Sequence, residues 1–265
     1  MRQIEVAVIN PEVIKGIEDT LLTAAALTQQ GHKISTLDDF MKLYKSKVEL
    51  EGEKREKTLR SLASLPHPTL QKFGVINVVV VGASRRFLAQ ITRHQNEVKF
   101  MSASLQYSDY SSKNNKTDFT VPYDILDTKF EQPYLASCKH DYELYKGLVG
   151  NGVSNDSAGY KMPQGLRNTL LISATPFQWK HMIGQRICNR NTPETRYVML
   201  RIWEELYKLS PIFAECNLFC MQGGCKEGKM SCLHKGMQPF TKSDTPSDIL
   251  RRDFSKLYEV SDANK

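Results

Sequence analysis

Three stretches of the chain group residue types that can do chemistry. In the first, Gly82-Ala83-Ser84 leads into Arg85 and Arg86, then Gln90, then the cation-rich Thr92-Arg93-His94-Gln95. Ser102, Ser104, Gln106 and Tyr107 follow in a run of small and hydroxyl residues. A strand passing into a helix through Gly-Ala-Ser leaves backbone N–H groups at the helix start, and these bind anions. A guanidinium grips a phosphate through two hydrogen bonds, and an imidazole donates or stacks. The same residues also fit a plain helix with a basic last turn, and both readings stand at this level.

The second stretch is WKHMIGQRICNRNTPETR, residues 179–196. Here Arg190 lies four residues beyond Arg186 and shares its helical face, with His181 on a neighbouring one. Such a stripe calls for an anionic or acceptor-rich partner, or for a carboxylate such as Glu194. The third stretch is CNLFCMQGGCKEGKMSC, residues 216–232, in which Cys216, Cys220, Cys225 and Cys232 are spaced C-x3-C-x4-C-x6-C ahead of His234. Thiolates in a glycine-containing loop hold tetrahedral zinc. The spacing lacks the paired C-x2-C knuckles of a zinc module, so reduced thiols are the other reading.

The elements that must position these residues alternate. IEVAVI (4–9) reads as a first strand, and a helix follows from Asn10-Pro11 with Val13, Ile17, Leu21 and Ala25 at helical spacing. Gly31 closes it. Ser35 and Asp38 suggest a capping box for a helix to about residue 47, and 51–57 reads as an exposed turn or helix start. VINVVVVG (75–82) is a strand, central or buried on both faces. A helix is expected over 83–95, a flexible loop over 108–120 and a helix of poor periodicity over 124–149, ended by Gly150-Asn151-Gly152. TLLISA (169–174) is a strand, a helix starts near Pro176, and Val198, Ile202, Leu206 and Leu209 mark an amphipathic helix stopping before Pro211. The fold class is α+β: long helices around a small mixed or antiparallel sheet. Residues 1–235 read as one domain carrying the Cys-rich segment, and 236–265 as a polar, loosely held tail.

Composition narrows the function. The 265 residues allow a substantial core, and 40% hydrophobic with 25% charged residues is ordinary for a globular protein. No apolar run reaches membrane-spanning length, and no basic-then-apolar leader is visible, so a cytoplasmic (intracellular) protein with no membrane partner is expected. In such a protein clustered cysteines read as ligands or reduced thiols before disulfides. The net charge of +7 suits an anionic ligand. Its scattered lysines do not make a nucleic-acid-binding module.

In order and spacing these pieces resemble the flavin-dependent thymidylate synthases, the ThyX family. VGASRRFLAQITRHQ is similar to the strand and helix leading into that family's Arg-His-Arg signature, here Arg93-His94-Gln95. SASLQY is similar to its Ser-x-Arg-Tyr ending, CNRNTPETR to its C-N-R-A-Q-W-E-I-R block, and KEGKMSC to a C-terminal segment of one branch.

The resemblance implies an α+β homotetramer with interfacial active sites. It implies FAD as cofactor, dUMP as substrate, and methylenetetrahydrofolate and NADPH as co-substrates, with reduced flavin delivering hydride to give dTMP and no cysteine nucleophile. It assigns flavin contacts to His67, Thr69, Arg93, His94, Gln95 and His181. Nucleotide contacts fall to Arg85, Gln90, Ser104, Gln106 and Tyr107, and pyrimidine activation to Arg186.

The chain also departs from that pattern. Gln95 and Gln106 replace arginines, Gly159 stands where an arginine precedes Pro163, Thr175-Pro176-Phe177 replaces Asn-x-Arg, and Asn191-Thr192-Pro193 replaces Ala-Gln-Trp. One extra residue separates Gln95 from Ser104. Each lost arginine–phosphate contact costs about 1.5–3 kcal/mol unless replaced, with Arg85, Arg86, Arg167 and Arg190 as candidate replacements. A sibling enzyme acting on another pyrimidine nucleotide, or a silent nucleotide-binding homologue, are the alternatives.

Overall fold

The computed structural model describes residues 1–112, 116–222, 224–237 and 239–262. Four strands, β1 (Glu5–Val8), β2 (Ile76–Ser84), β3 (Val98–Ser102) and β4 (Arg167–Ala174), form one antiparallel sheet in the order β1-β2-β4-β3. β2 is central, as its β-branched run predicts, but it is not buried on both faces. Ile76, Val78 and Val80 enter the core while Val81 is exposed on the other side. Pleating sends successive side chains to opposite faces, and on the second face Val81, Leu171 and Met101 are exposed.

The helices are α1 (Val13–Gln30), α2 (Leu37–Val48), α3 (Gly52–Ser64), α4 (Arg85–Ile91), α5 (Glu131–Gly150), α6 (Asn155–Gly159), α7 (Pro176–Arg186), α8 (Pro193–Leu209), α9 (Pro246–Asp253) and α10 (Ser255–Asp262). Several boundaries move by identifiable chemistry. The capping box is Thr36 with Asp39, one residue later than expected, because Thr36 is the residue with extended backbone whose side chain accepts from Asp39 N. α4 is shorter than 83–95: β2 runs through a bulge between Val81 and Ala83 as far as Ser84, which then caps the helix. Gly82 at the bulge has φ +84°, and a side chain there would strike the Arg167 guanidinium. α5 begins at Glu131 after a short 3-10 turn at Tyr123–Ile125.

Two expectations of looseness are corrected. In the 108–120 segment, Lys113, Asn114 and Asn115 lie outside the described residues, but Tyr110 and Phe119 are buried in a small second cluster with Cys138 and Tyr145. The Tyr145 hydroxyl accepts from Tyr110 N at 3.2 Å, and the Tyr142 hydroxyl donates to Tyr110 O at 2.7 Å. The tail beyond Cys232 is likewise docked. Phe240, Ile249, Leu250 and Phe254 are buried in the main core. Arg196 pairs with Asp253 and lies over the Phe254 ring, and Ser247 and Tyr258 both donate to Glu204 at 2.8 Å. A handful of well-placed apolar residues docks a segment whose average composition is polar.

α7 carries the second chemical stretch, and its position is tightly held. Trp179 is fully buried and donates Nε1–H to Ile76 O at 3.0 Å, which ties α7 to the central strand. On another face Gly184 lets the backbone of residue 217 approach: a Cβ there would sit 2.4 Å from the Asn217 carbonyl carbon. Gly184→Ala is therefore expected to lower stability by about 1–3 kcal/mol, overriding alanine's helix propensity. Thermal melting checks this, and an unchanged or raised midpoint would contradict the close approach.

Candidate active site

The first and second chemical stretches meet. Arg186, the last residue of α7, donates Nε–H to His94 Nε2 at 2.8 Å and Nη2–H to Gln90 O at 2.8 Å. Its Nη1 reaches Asn191 Oδ1 at 3.5 Å. His94 and His181 are edge to face with ring centroids 6.0 Å apart. The Gln90 side-chain oxygen accepts from Thr195 Oγ1 at 2.5 Å and Thr192 Oγ1 at 3.3 Å. Arg93 is exposed beside this group, near enough to act electrostatically on Arg186. Helical spacing could not disclose these bonds, and nothing in the sequence assigned Asn191, Thr192 and Thr195 a role in the site.

Electrostatics fixes the protonation of His94. Burial, reinforced by the Arg186 and His181 charges, holds its pKa at about 4. The ring is neutral near pH 7, and since Nε2 accepts from Arg186 its proton is on Nδ1. In the unfolded chain the histidine titrates near 6.5. Between those values the unfolded state binds the extra proton, so stability rises with pH from about 4 to 6.5 and is fully present above. The urea midpoint is accordingly expected to fall between pH 7 and pH 5, and less steeply in His94→Gln. Equal slopes for the two proteins would contradict this assignment.

A cavity of about 450 Å3 lies beside the cluster, between α7 and the segment before β2. Pro66, Pro68, Gln71, Phe177, Lys180 and His181 are among its walls. The His67–Thr69 element is thus at its edge, with His67 and Thr69 themselves exposed. Gln95 is exposed as well.

Arg85, Ser104, Gln106 and Tyr107 take no part in the hydrogen bonds around Arg186. Arg85 N donates to Leu166 O at 3.0 Å, and Ala103 N to Thr169 O at 3.3 Å. Ser104 Oγ accepts from Gln106 N at 3.1 Å, and Tyr107 is exposed. The anion cradle expected at the start of α4 is not available. Ser84 N bonds the Glu194 carboxylate at 2.7 Å, Arg86 N bonds Gln164 O at 3.2 Å, and Phe87 N bonds Ser84 Oγ at 3.1 Å. Burial pushes the Glu194 carboxyl up while those Ser84 bonds pull it down. Two of the candidate replacement arginines are also engaged, Arg167 with Asp118 and Gln3, and Arg190 with Glu227 at 3.1 Å. Arg85 instead keeps a buried Nη1 with no partner among the described residues.

The zinc reading of Cys216, Cys220, Cys225 and Cys232 does not hold as a set. Among the described residues no group of three or more His, Cys, Asp or Glu is arranged to bind a metal. Cys216 faces the core, 3.7 Å from Met221 Sδ, and burial pushes its thiol up to about 12. A metal needs the thiolate, which that environment opposes. The other three line a different cavity together with Cys188. Among the described residues no helix is long and apolar enough to cross a membrane.

Comparison with known proteins bears on the family and the fold. The model of the family described as "Thymidylate synthase complementing protein" (Thy1) matches residues 12–212. Relatives include the flavin-dependent thymidylate synthases of Pyrococcus furiosus, 25% identical over 71% of this chain and 80% of its own, and of Pyrococcus abyssi, 24% identical over 79% and 85%. A structure of thymidylate synthase X from Helicobacter pylori with FAD and dUMP superposes with a TM-score of 0.56 at 16% identity, covering 78% of this chain and 94% of that one. A UMP/dUMP methylase, PolB from Streptomyces cacaoi, gives 0.56 at 14%, covering 80% and 93%. With a family model spanning most of its length and the same fold in both structures, the chain belongs to the thymidylate synthase complementing protein family, Thy1.

Proposed function

We propose that this protein is a flavin-dependent thymidylate synthase. It would convert dUMP to dTMP by reductive methylation, with methylenetetrahydrofolate as carbon donor and NADPH as electron source. The observation that carries the reading is the convergence of Arg186, Gln90, His94 and His181 beside a cavity of about 450 Å3. That volume suits a flat cofactor or nucleotide ring. Its walls also offer what FAD needs: aromatic and proline surface, and the buried Gln71 Oε1, which has no partner among the described residues. FAD, when bound, supplies the hydride. Arg186 presents a permanent positive charge to a pyrimidine oxygen and stabilises the anionic form of the ring that accepts the one-carbon unit. Neutral His94 orients the guanidinium through Nε2 and keeps an Nδ1–H donor. Arg85, with its unpartnered buried Nη1, is the proposed phosphate ligand together with Ser104.

A homotetramer with interfacial sites is part of the proposal. The sheet face carrying Val81, Leu171 and Met101 is exposed, and Met101 and Leu171 are paired in register. A second copy would cover that apolar surface. A second reading, a sibling enzyme acting on another pyrimidine nucleotide, is favoured by the glutamines at 95 and 106. Titration of the purified protein with FAD and then with dUMP tests both. Flavin absorbance near ~450 nm that shifts on adding dUMP is the expected result. Failure to bind FAD would overturn both readings, and FAD binding with no response to dUMP would leave the second.

A further inference from the structure

We propose that Lys180 and Gln71 form a donor–acceptor pair that reads the cyclic-amide edge, an N–H beside a carbonyl, of a flat heterocycle in the cavity between α7 and residues 65–71. Both side chains line that cavity, and each is only 4% exposed. Both converge on one atom: Ala63 O accepts from Lys180 Nζ at 2.8 Å and from Gln71 Nε2 at 3.0 Å. Two bonds use both lone pairs of that carbonyl. They also orient the two groups. The Gln71 amide nitrogen faces Ala63, so its Oε1 points away, buried and without a partner among the described residues. A buried amide oxygen left in that state is costly, so it calls for a donor from outside the chain.

Lys180 retains further N–H donors. Among the described residues it has no ion pair within 4.0 Å. Glu215, exposed on the rim, acts only at longer range, and burial holds the ammonium at about 8, still charged near neutrality. Merely closing the end of α3 at Ala63 would need neither the second bond to the same carbonyl nor the ammonium. Phe177, one turn earlier on α7, also lines this cavity, and Lys180 brings a cation to its wall. A spare donor beside a spare acceptor complements the –NH–C(=O)– edge shared by the flavin pyrimidine ring and by uracil.

The inference rests on the proposed function only for its probes. The affinities of the full-length protein for riboflavin and N3-methylriboflavin, and for dUMP and N3-methyl-dUMP, are compared by fluorescence and calorimetry. The wild type is expected to prefer the N3–H form of one pair by about tenfold. Gln71→Leu should abolish that preference, and Lys180→Met should weaken binding of the same ligand by about tenfold. Lys180→Met replaces a buried charge by an apolar chain of similar length and is expected to fold. Loss of the preference with riboflavin assigns the flavin, and loss with dUMP assigns the substrate. Equal loss for the N3–H and N3-methyl forms in Gln71→Leu, as a purely structural role requires, would overturn the inference. So would unchanged affinities in both variants while the wild type binds. A wild type that binds neither FAD nor dUMP would remove the proposed function and this inference together.

Discussion

Arg186→Ala is expected to lower the rate of methyl transfer by about 10^2–10^3-fold or more while leaving FAD bound. The guanidinium ties the end of α7 to the first chemical stretch at two points, His94 Nε2 and Gln90 O. Its removal takes away the fixed charge proposed to face the pyrimidine and leaves His94 free to turn. Arg186→Lys keeps a charge but cannot donate in the forked geometry, so it should recover only a small part of the rate. Single-turnover measurement of dTMP formation, alongside flavin absorbance, separates loss of chemistry from loss of cofactor. Full turnover by Arg186→Ala would remove the residue from the reaction.

The largest effect on stability is expected from Trp179→Ala, about 3–5 kcal/mol. The indole is wholly buried between α7 and β2, so truncation opens a cavity and strands Ile76 O, its hydrogen-bond acceptor. Trp179→Phe removes the bond but keeps most of the volume and should cost about 1–3 kcal/mol. Chemical denaturation measures both. A cost for Trp179→Ala no larger than that for Trp179→Phe would show that packing there is looser than the structure has it. Because Arg186 lies two turns further along the same helix, the alanine variant should also bind nucleotide less tightly at temperatures where it is still folded.

The element pattern was readable from local chemistry. β2 and β4 announced themselves as apolar runs, Pro176 marked a helix start, and Pro211 an end, because these signals act within a few residues. Errors arose where a distant partner decided. β2 continues to Ser84 because β4 pairs with it as far as Arg167, and the C-terminal segment is ordered because Ile249, Leu250 and Phe254 find the core beside α8. Neither fact has a local signature.

The site divides in the same way. From the sequence alone come the candidate residues, the helix that carries Arg186, and the resemblance that ties these pieces to flavin and nucleotide. The tertiary structure alone decided that Arg186 bonds His94, that the helix start at Ser84 is already occupied by Glu194, that Cys216 is buried in the core, and that Lys180 and Gln71 meet at Ala63. Residue type and spacing set what a side chain can do. Which hydrogen-bond partners it finds, and how much water it loses, depend on neighbours far away in the chain.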